Sequence, residues 1–194
     1  MTARTDAQLA FLAEADALKT VHRATTLHDG SRSENSAEHS WHVALHALIL
    51  ADHAGPGVSI DRVIRMLLLH DIVEIDAGDT PIHGQHDTAE QEAREQAAAD
   101  RLFGLLPADQ GAELRTLWEE FEASESPDAV FAKSIDRVQP ALSNLHSGGH
   151  SWREYDVTLA QLDQRVGTKV ARGAPALWTR VREMIAPWFA AHGK

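Results

Sequence analysis

The chain has 194 residues, of which 43 % are hydrophobic, a formal net charge of −11 and no cysteine. That length and apolar content fit one globular domain over residues 1–194 with a sizeable core. The missing cysteines exclude a disulfide scaffold, the absence of a long apolar run or basic leader argues for a cytoplasmic protein away from membranes, and the negative charge excludes wrapping long nucleic acid.

In chain order, residues 6–22 predict an amphipathic helix with Phe11, Ala15, Leu18 and His22 on one stripe, and Lys19 and Arg23 one turn apart on another. Residues 25–33 read as a loop around Asp29-Gly30. Asn35 and Glu38 form a capping box that opens a second helix at Ser36, running to about residue 52 with His39, Val43, His46 and Leu50 facing inward. Gly55-Pro56-Gly57 breaks it. A third helix from about Asp61 carries Val63, Leu67, His70 and Glu74 on one face, so an apolar run ends in an imidazole and carboxylates. Residues 76–87, with two Gly, a Pro and two His, form an irregular segment beside them.

Thr88 with Gln91 caps a fourth helix to about residue 106, and Leu114, Leu117, Trp118 and Phe121 mark a fifth. Ser126 caps a sixth, which starts near Pro127 and sets Asp136 among Phe131, Ile135, Val138, Leu142 and Leu145. Pro140, four residues on, clashes with the Asp136 carbonyl and bends the helix at that acid. A seventh helix covers about 152–166 and an eighth 174–189, with Pro187 kinking its end. No segment alternates with period two over five residues and no repeat is visible. The expected fold class is all-α, a single bundle of about eight helices.

Burying a charge unpaired is prohibitive, so ionisable groups on apolar faces are paired or bound to metal. His39, His70, Asp71 and Asp136 offer two nitrogen and two oxygen ligands. That set suits one divalent transition metal ion with positions left for water and substrate. A rival metal site is the HxxxH pair His42 and His46, but it lacks the glutamate of zinc-protease helices, and His46 reads as a core histidine. His83 and His86 lie in the irregular segment, within reach of a substrate. Taken singly, each of these residues reads as a satisfied core or surface group; the argument rests on the set.

The pattern H…HD…D, with ENSAEHSWHVALHALIL, LLHDIVEIDAGDTP, AKSIDRVQPAL and the upstream LKTVHR, resembles the HD-domain metal-dependent phosphohydrolase superfamily, and within it the 5′-deoxynucleotidase branch. The resemblance runs from about Leu18 to Leu142, which makes about 18–142 the metal-binding core and leaves helices in 150–190 to complete the bundle. It implies a metal ion (Mn, Co, Mg, Fe or Zn) on His39, His70, Asp71 and Asp136, catalytic roles for Glu74 and Asp79, and a substrate contact from Arg23. The substrate it implies is a small phosphorylated molecule, a nucleotide, and the assembly a homodimer; the crowding of Trp152, Trp178, Trp188 and Phe189 on the C-terminal helices separately predicts exposed apolar surface there.

At the position after Arg23 the family pattern has a tryptophan that bears on sugar recognition, and this chain has Ala24. The expectation is weak discrimination between deoxyribose and ribose, unless Thr25, Thr26 or Trp41 refills the space. The competing readings are hydrolysis of another phosphorylated metabolite or a nucleoside polyphosphate, a non-catalytic nucleotide-sensing domain, and a di-iron oxygenase using His83 and His86 for a second metal. Polyphosphates would call for more basic residues than Lys19, Arg23, Lys133 and Arg137. A sensing domain has no evident use for Glu74 and Asp79 beside a metal.

Overall fold

The computed structural model describes residues 2–84 and 87–194. Helix α1 (Thr2–Ala15) passes through a 3-10 turn at Asp16–Thr20, and the chain then extends as β1 (His22–Thr26) instead of remaining helical to residue 22. β1 pairs antiparallel with β2 (Ser33–Asn35), His22 opposite Asn35 and Thr26 opposite Ser33. Strands this short leave no alternation to detect, so sequence reading saw only the loop between them. Gly30, at φ 71°, supplies the positive φ that the turn requires. The hairpin packs against α7 and so carries Arg23 and Ala24 to the site.

α2 (Ser36–Ile49) begins as expected: Glu38 N–H donates to Asn35 Oδ1 at 3.0 Å, and Asn35 N–H to Glu38 Oε2 at 3.2 Å. α3 (Ile60–Leu69) ends one residue before His70, so the stripe through Glu74 is not one continuous helix. His70 Nδ1 donates to the Leu67 carbonyl at 2.8 Å, taking an acceptor that the next helical turn would use. Tight turns follow, Ile72 N–H to Leu69 and Glu74 N–H to Asp71, until the short α4 (Glu74–Ala77).

α5 (Thr88–Phe103) is capped by Asp87, whose Oδ1 accepts from Ala89 and Glu90 N–H; the Thr88 cap is displaced by one residue. A carboxylate at that position answers both the free N–H groups and the helix dipole. α6 (Ala108–Ala123) and α7 (Pro127–His146) follow, with Ser126 Oγ capping α7 and Pro140 inside it.

The single helix expected over 152–166 is broken. α8 (His150–Glu154) stops at a turn where Asp156 adopts φ 49°, and α9 (Leu159–Leu162), a π-helical stretch (Asp163–Gly167) and α10 (Thr168–Gly173) follow. Val157 N–H donates back to the Trp152 carbonyl, which lets both side chains turn inward. Gly173 explains how α10 lies flush on α7: a Cβ there would stand 2.5 Å from Ser134 Oγ. α11 (Pro175–Ala191) closes the chain.

Two apolar clusters form the core. The larger joins α2, α3, α7, α10 and α11 through residues such as Val43, Leu67, Phe131, Ile135, Trp178 and Ile185; the smaller joins α1, α5 and α6 through Phe11, Leu102, Phe103 and Trp118. Met66 and Leu67 belong to the first, Ile72 and Val73 to the second, so the chain crosses between them at His70-Asp71. Trp152 and Phe189 are 1 % and 0 % exposed, spent on the core rather than displayed. Exposed apolar residues instead form a stripe on α2: Trp41, Leu45, Leu48 and Ile49, at 62, 38, 55 and 69 %.

Candidate active site

Each predicted ligand arrives from a different part of the bundle. The α2 stripe turns His39 inward, the interrupted end of α3 presents His70 and Asp71, and α7 presents Asp136 from the turn whose carbonyl Pro140 leaves without a helical donor. All four are buried. His39 Nε2 is 3.0 Å from Asp136 Oδ1, and His70 Nε2 is 3.5 Å from the same oxygen. Asp71 Oδ1 is 3.0 Å from His70 Nε2, and Oδ2 is 3.9 Å from His39 Nε2. Ligand atoms of His39, His70 and Asp136 all lie within 4.8 Å of one another, with Asp71 on their border.

The tautomers follow from the remaining bonds. Because His70 Nδ1 donates to Leu67, its Nε2 is the nitrogen left to face the cluster, and that buried atom makes no hydrogen bond although two carboxylate oxygens face it. Lone pairs in that arrangement repel unless a proton or a metal ion lies between them. His39 is fixed similarly. Gln139 directs its amide nitrogen to Glu34 Oε2 (3.3 Å) and Ser143 Oγ (3.0 Å), so its Oε1 accepts from His39 Nδ1 at 3.0 Å. Both imidazoles thus aim Nε2 at one point, each backed by an acceptor on its other nitrogen, as metal-ligating histidines are. The residues present fit a divalent cation.

The local field points the same way. Burial disfavours a charged His70, but Asp71 and Asp136 outweigh it and raise its pKa to about 10. Asp136, despite burial, is held well below the carboxylate range by Arg137 and the two histidines. Trp118 Nε1 donates to the His70 carbonyl at 3.2 Å, and Phe121 stands edge-on to its ring, so α6 braces His70 from behind.

Arg23 is the second centre. Its Nη1 lies 2.8 Å from Asp71 Oδ2, 3.2 Å from Asp79 Oδ1 and 3.6 Å from Glu74 Oε1, while Nε is 3.6 Å from Glu34 Oε1. A single guanidinium therefore gathers one expected ligand and both expected catalytic acids. Glu74 also accepts from Ser36 Oγ at 2.6 Å. Burial, reinforced by Asp71, raises Glu74 well above the usual carboxylate range, and burial raises Asp79 against the pull of Arg23.

Two clefts meet here. A polar one is bordered by His70, Asp71, Glu74 and Asp136; an apolar one is bordered by Ala24, Ile82, Trp152, Tyr155, Leu162 and Val166. Arg23, Asp79, Thr80 and Arg137 border both, whereas Glu74 borders only the polar cleft. Ala24 and Thr25 face the apolar cleft; Trp41 is exposed on α2 and stacks on His42. His83 also lines the apolar cleft, and His86 lies outside the described residues. His46 is half-buried rather than core and donates Nδ1 to the His42 carbonyl of its own helix. Among the described residues His39, His70 and Asp136 form the one group of three or more such side chains whose ligand atoms lie within 4.8 Å of one another.

Sequence reasoning missed Glu34, Ser36 and Gln139. Gln139 stands one turn after Asp136 on α7, which was its one available signal. Glu34 and Ser36 looked like ordinary neighbours of the helix cap at Asn35.

The family model described as HD domain matches residues 15–178. A 5′-deoxynucleotidase HDDC2 of Homo sapiens is 32 % identical over 111 residues, covering 57 % of this chain and 53 % of the human protein, about half its length. The 5′-deoxynucleotidase plu3092 of Photorhabdus laumondii is 25 % identical over 169 residues, covering 82 % of this chain and 84 % of its own. A crystal structure named as a predicted metal-dependent phosphohydrolase from Magnetospirillum magnetotacticum superposes with a TM-score of 0.90 at 49 % identity, over 96 % of this chain and 93 % of the other. A conserved hypothetical protein from Pyrococcus furiosus shares the fold, with a TM-score of 0.61 at 21 % identity over 90 % of this chain and 99 % of the other.

Proposed function

This chain belongs to the HD domain family, and from that premise we propose that it is a divalent-metal-dependent phosphomonoester hydrolase acting on nucleoside 5′-monophosphates, deoxy and ribo alike. The observation that carries the reading is the convergence of two histidine Nε2 atoms and the Asp136 carboxylate beside Glu74, Asp79 and Arg23. His39, His70, Asp71 and Asp136 are the proposed ligands. A divalent ion there supplies Lewis acidity and brings the pKa of a water towards neutrality.

The chain's own groups do the rest. Glu74 borders only the polar cleft and is held by Ser36, which suits it to orient and deprotonate the attacking water. Asp79 borders the apolar cleft as well, where a nucleoside would lie, and its raised pKa suits it to protonate the departing 5′ oxygen. Arg23 keeps the carboxylates in register and contacts the substrate at the junction of the two clefts. Apolar walls from Trp152, Tyr155, Leu162 and Val166 suit a flat base and exclude water.

Residues 1–194 are taken as one domain, with its metal-binding core over about 18–142 and the helices of 150–190 completing the bundle. Among the described residues no helix is long and apolar enough to cross a membrane, and the cytoplasm is the proposed location. Long nucleic acid is not an expected partner. A homodimer through the exposed α2 stripe is proposed, because a contiguous apolar surface of that kind marks an interface.

The test is phosphate release from a panel of deoxy- and ribonucleoside monophosphates, nucleoside polyphosphates and sugar phosphates, each with Mn, Co and Mg. Turnover of 5′-monophosphates is expected. Release from polyphosphates alone, or from none of the panel with any ion, refutes the reading.

A further inference from the structure

Cations bordering the clefts are scarce in a chain of net charge −11, and most are already engaged. Arg23 is enclosed by Glu34, Asp71, Glu74 and Asp79. Lys133 sits 3.1 Å from both oxygens of Glu122 and over the Phe121 ring. Arg172, on the groove that continues from the polar cleft, donates to the Ser124 carbonyl. Arg137 differs. It follows Asp136 directly on α7, its side chain is 26 % exposed, and it borders the polar cleft, the apolar cleft and the groove that continues past Lys133 to Lys169. Its nearest carboxylate oxygen, Asp136 Oδ2, stands 3.6 Å from Nε, close enough for charge attraction but beyond hydrogen-bond reach, and that buried Nε has no hydrogen-bond partner. Among the described residues nothing accepts from its terminal amino groups either.

A planar guanidinium carries five donors, and leaving them unanswered at the edge of a buried site is costly. An arginine with free donors matches the paired oxygens of a phosphate, whereas the charge of Arg23 is already answered by four carboxylates, Asp71 accepting from its Nη1. Resting on the phosphomonoesterase reading above, we propose that Arg137 grips the phosphoryl oxygens of the substrate as a second arginine beside Arg23. Consecutive helix positions differ by about 100°, so a ligand and its neighbour flank the same turn. A phosphate brought to Asp136 is therefore within the compass of the Arg137 side chain.

The experiment is calorimetric titration of the Mn-loaded protein with orthophosphate, which needs no turnover. Arg137→Gln is expected to weaken phosphate binding about tenfold or more, and Arg137→Lys, which keeps the charge without the fork, to fall between it and the wild type. With a monophosphate substrate, added guanidinium should partly restore kcat in Arg137→Ala. Manganese content is measured for each variant; should the Gln variant lose its ion, the Lys variant carries the test. Wild-type phosphate affinity in an Mn-loaded Gln or Lys variant overturns the proposal, as does a wild type that binds no phosphate. Because binding is read without hydrolysis, a failed substrate panel leaves this result standing, and a wild type that hydrolyses monophosphates yet holds phosphate without Arg137 overturns the grip alone.

Discussion

His39 Nδ1 donates to Gln139 Oε1 across 3.0 Å, joining residues 100 positions apart and fixing which nitrogen faces the ligand cluster. Gln139→Leu keeps the volume and removes that acceptor, so His39 loses its tautomer and orientation. Metal affinity is expected to fall about 10–100-fold with the helical signal unchanged. Competition with a chelator measures it. Asp136→Ala, which deletes a proposed ligand outright, should leave less metal still; full occupancy in that variant would sink the ligand assignment.

The two acids should separate from the ligands. Asp79→Asn preserves shape but cannot deliver a proton, and kcat is expected to fall about 10²-fold or more while metal content stays at the wild-type level. Glu74→Gln should behave alike, because Ser36 Oγ can still donate to the remaining carbonyl oxygen. An Asp79→Asn enzyme with unchanged kcat would remove Asp79 from the chemistry.

Why these residues were legible from sequence while others were not follows from where each signal resides. His39, His70 and Asp136 sit on helical faces whose apolar neighbours recur at 3.6-residue spacing, so an ionisable group among them is conspicuous. Arg23 lies on a strand of five residues, and its role is set by four carboxylates contributed from other segments, which no local pattern encodes. The break after Trp152 was invisible for a related reason. Asp156 takes a left-handed conformation that short polar residues tolerate, and the burial of Val157 that rewards it is a tertiary effect.

His83 carries an acid-stability signature. Burial, with Arg165 and Arg137 nearby, lowers its pKa from 6.5 to about 4. The unfolded chain takes up that proton near pH 6.5 and the native chain resists it, so this group costs stability as pH falls from 6.5 towards 4 and contributes no pH dependence above that window. The slope approaches about 1.4 kcal/mol per pH unit at most, less for a partly exposed ring. In metal-free protein, Tm against pH should fall less steeply for His83→Gln than for the wild type over that window. Parallel curves would contradict the shift.

Sugar selectivity should be weak. Ala24 faces the apolar cleft with no bulk to crowd a 2′-hydroxyl, and Trp41, a candidate to replace that bulk, is exposed on α2. An apolar pocket rejects an added hydroxyl by about 10²-fold at best, and this one lacks the wall. The expected preference of kcat/KM for dAMP over AMP is under about tenfold, or ~1.4 kcal/mol. A preference near a hundredfold would mean that Thr25 or Tyr155 restores the wall.

For association, light scattering at low micromolar concentration should return twice the 21.3 kDa chain mass, and Trp41→Glu with Ile49→Glu should return the monomer. A wild type at the chain mass would refute the dimer.

The interrupted stretch between Gly149 and Gly173 contributes Trp152, Tyr155, Leu162 and Val166 to the apolar cleft, while every proposed metal ligand comes from α2, α7 or the end of α3. Exchanging Tyr155, or lengthening the turn at Asp156, would reshape the cleft without shifting a helix that holds a ligand. Descendants of this chain could thus acquire new preferences by small changes in one segment while inheriting the bond-breaking apparatus intact. The sugar preference assigned to Ala24 is not free in this way, because that residue adjoins Arg23 on β1.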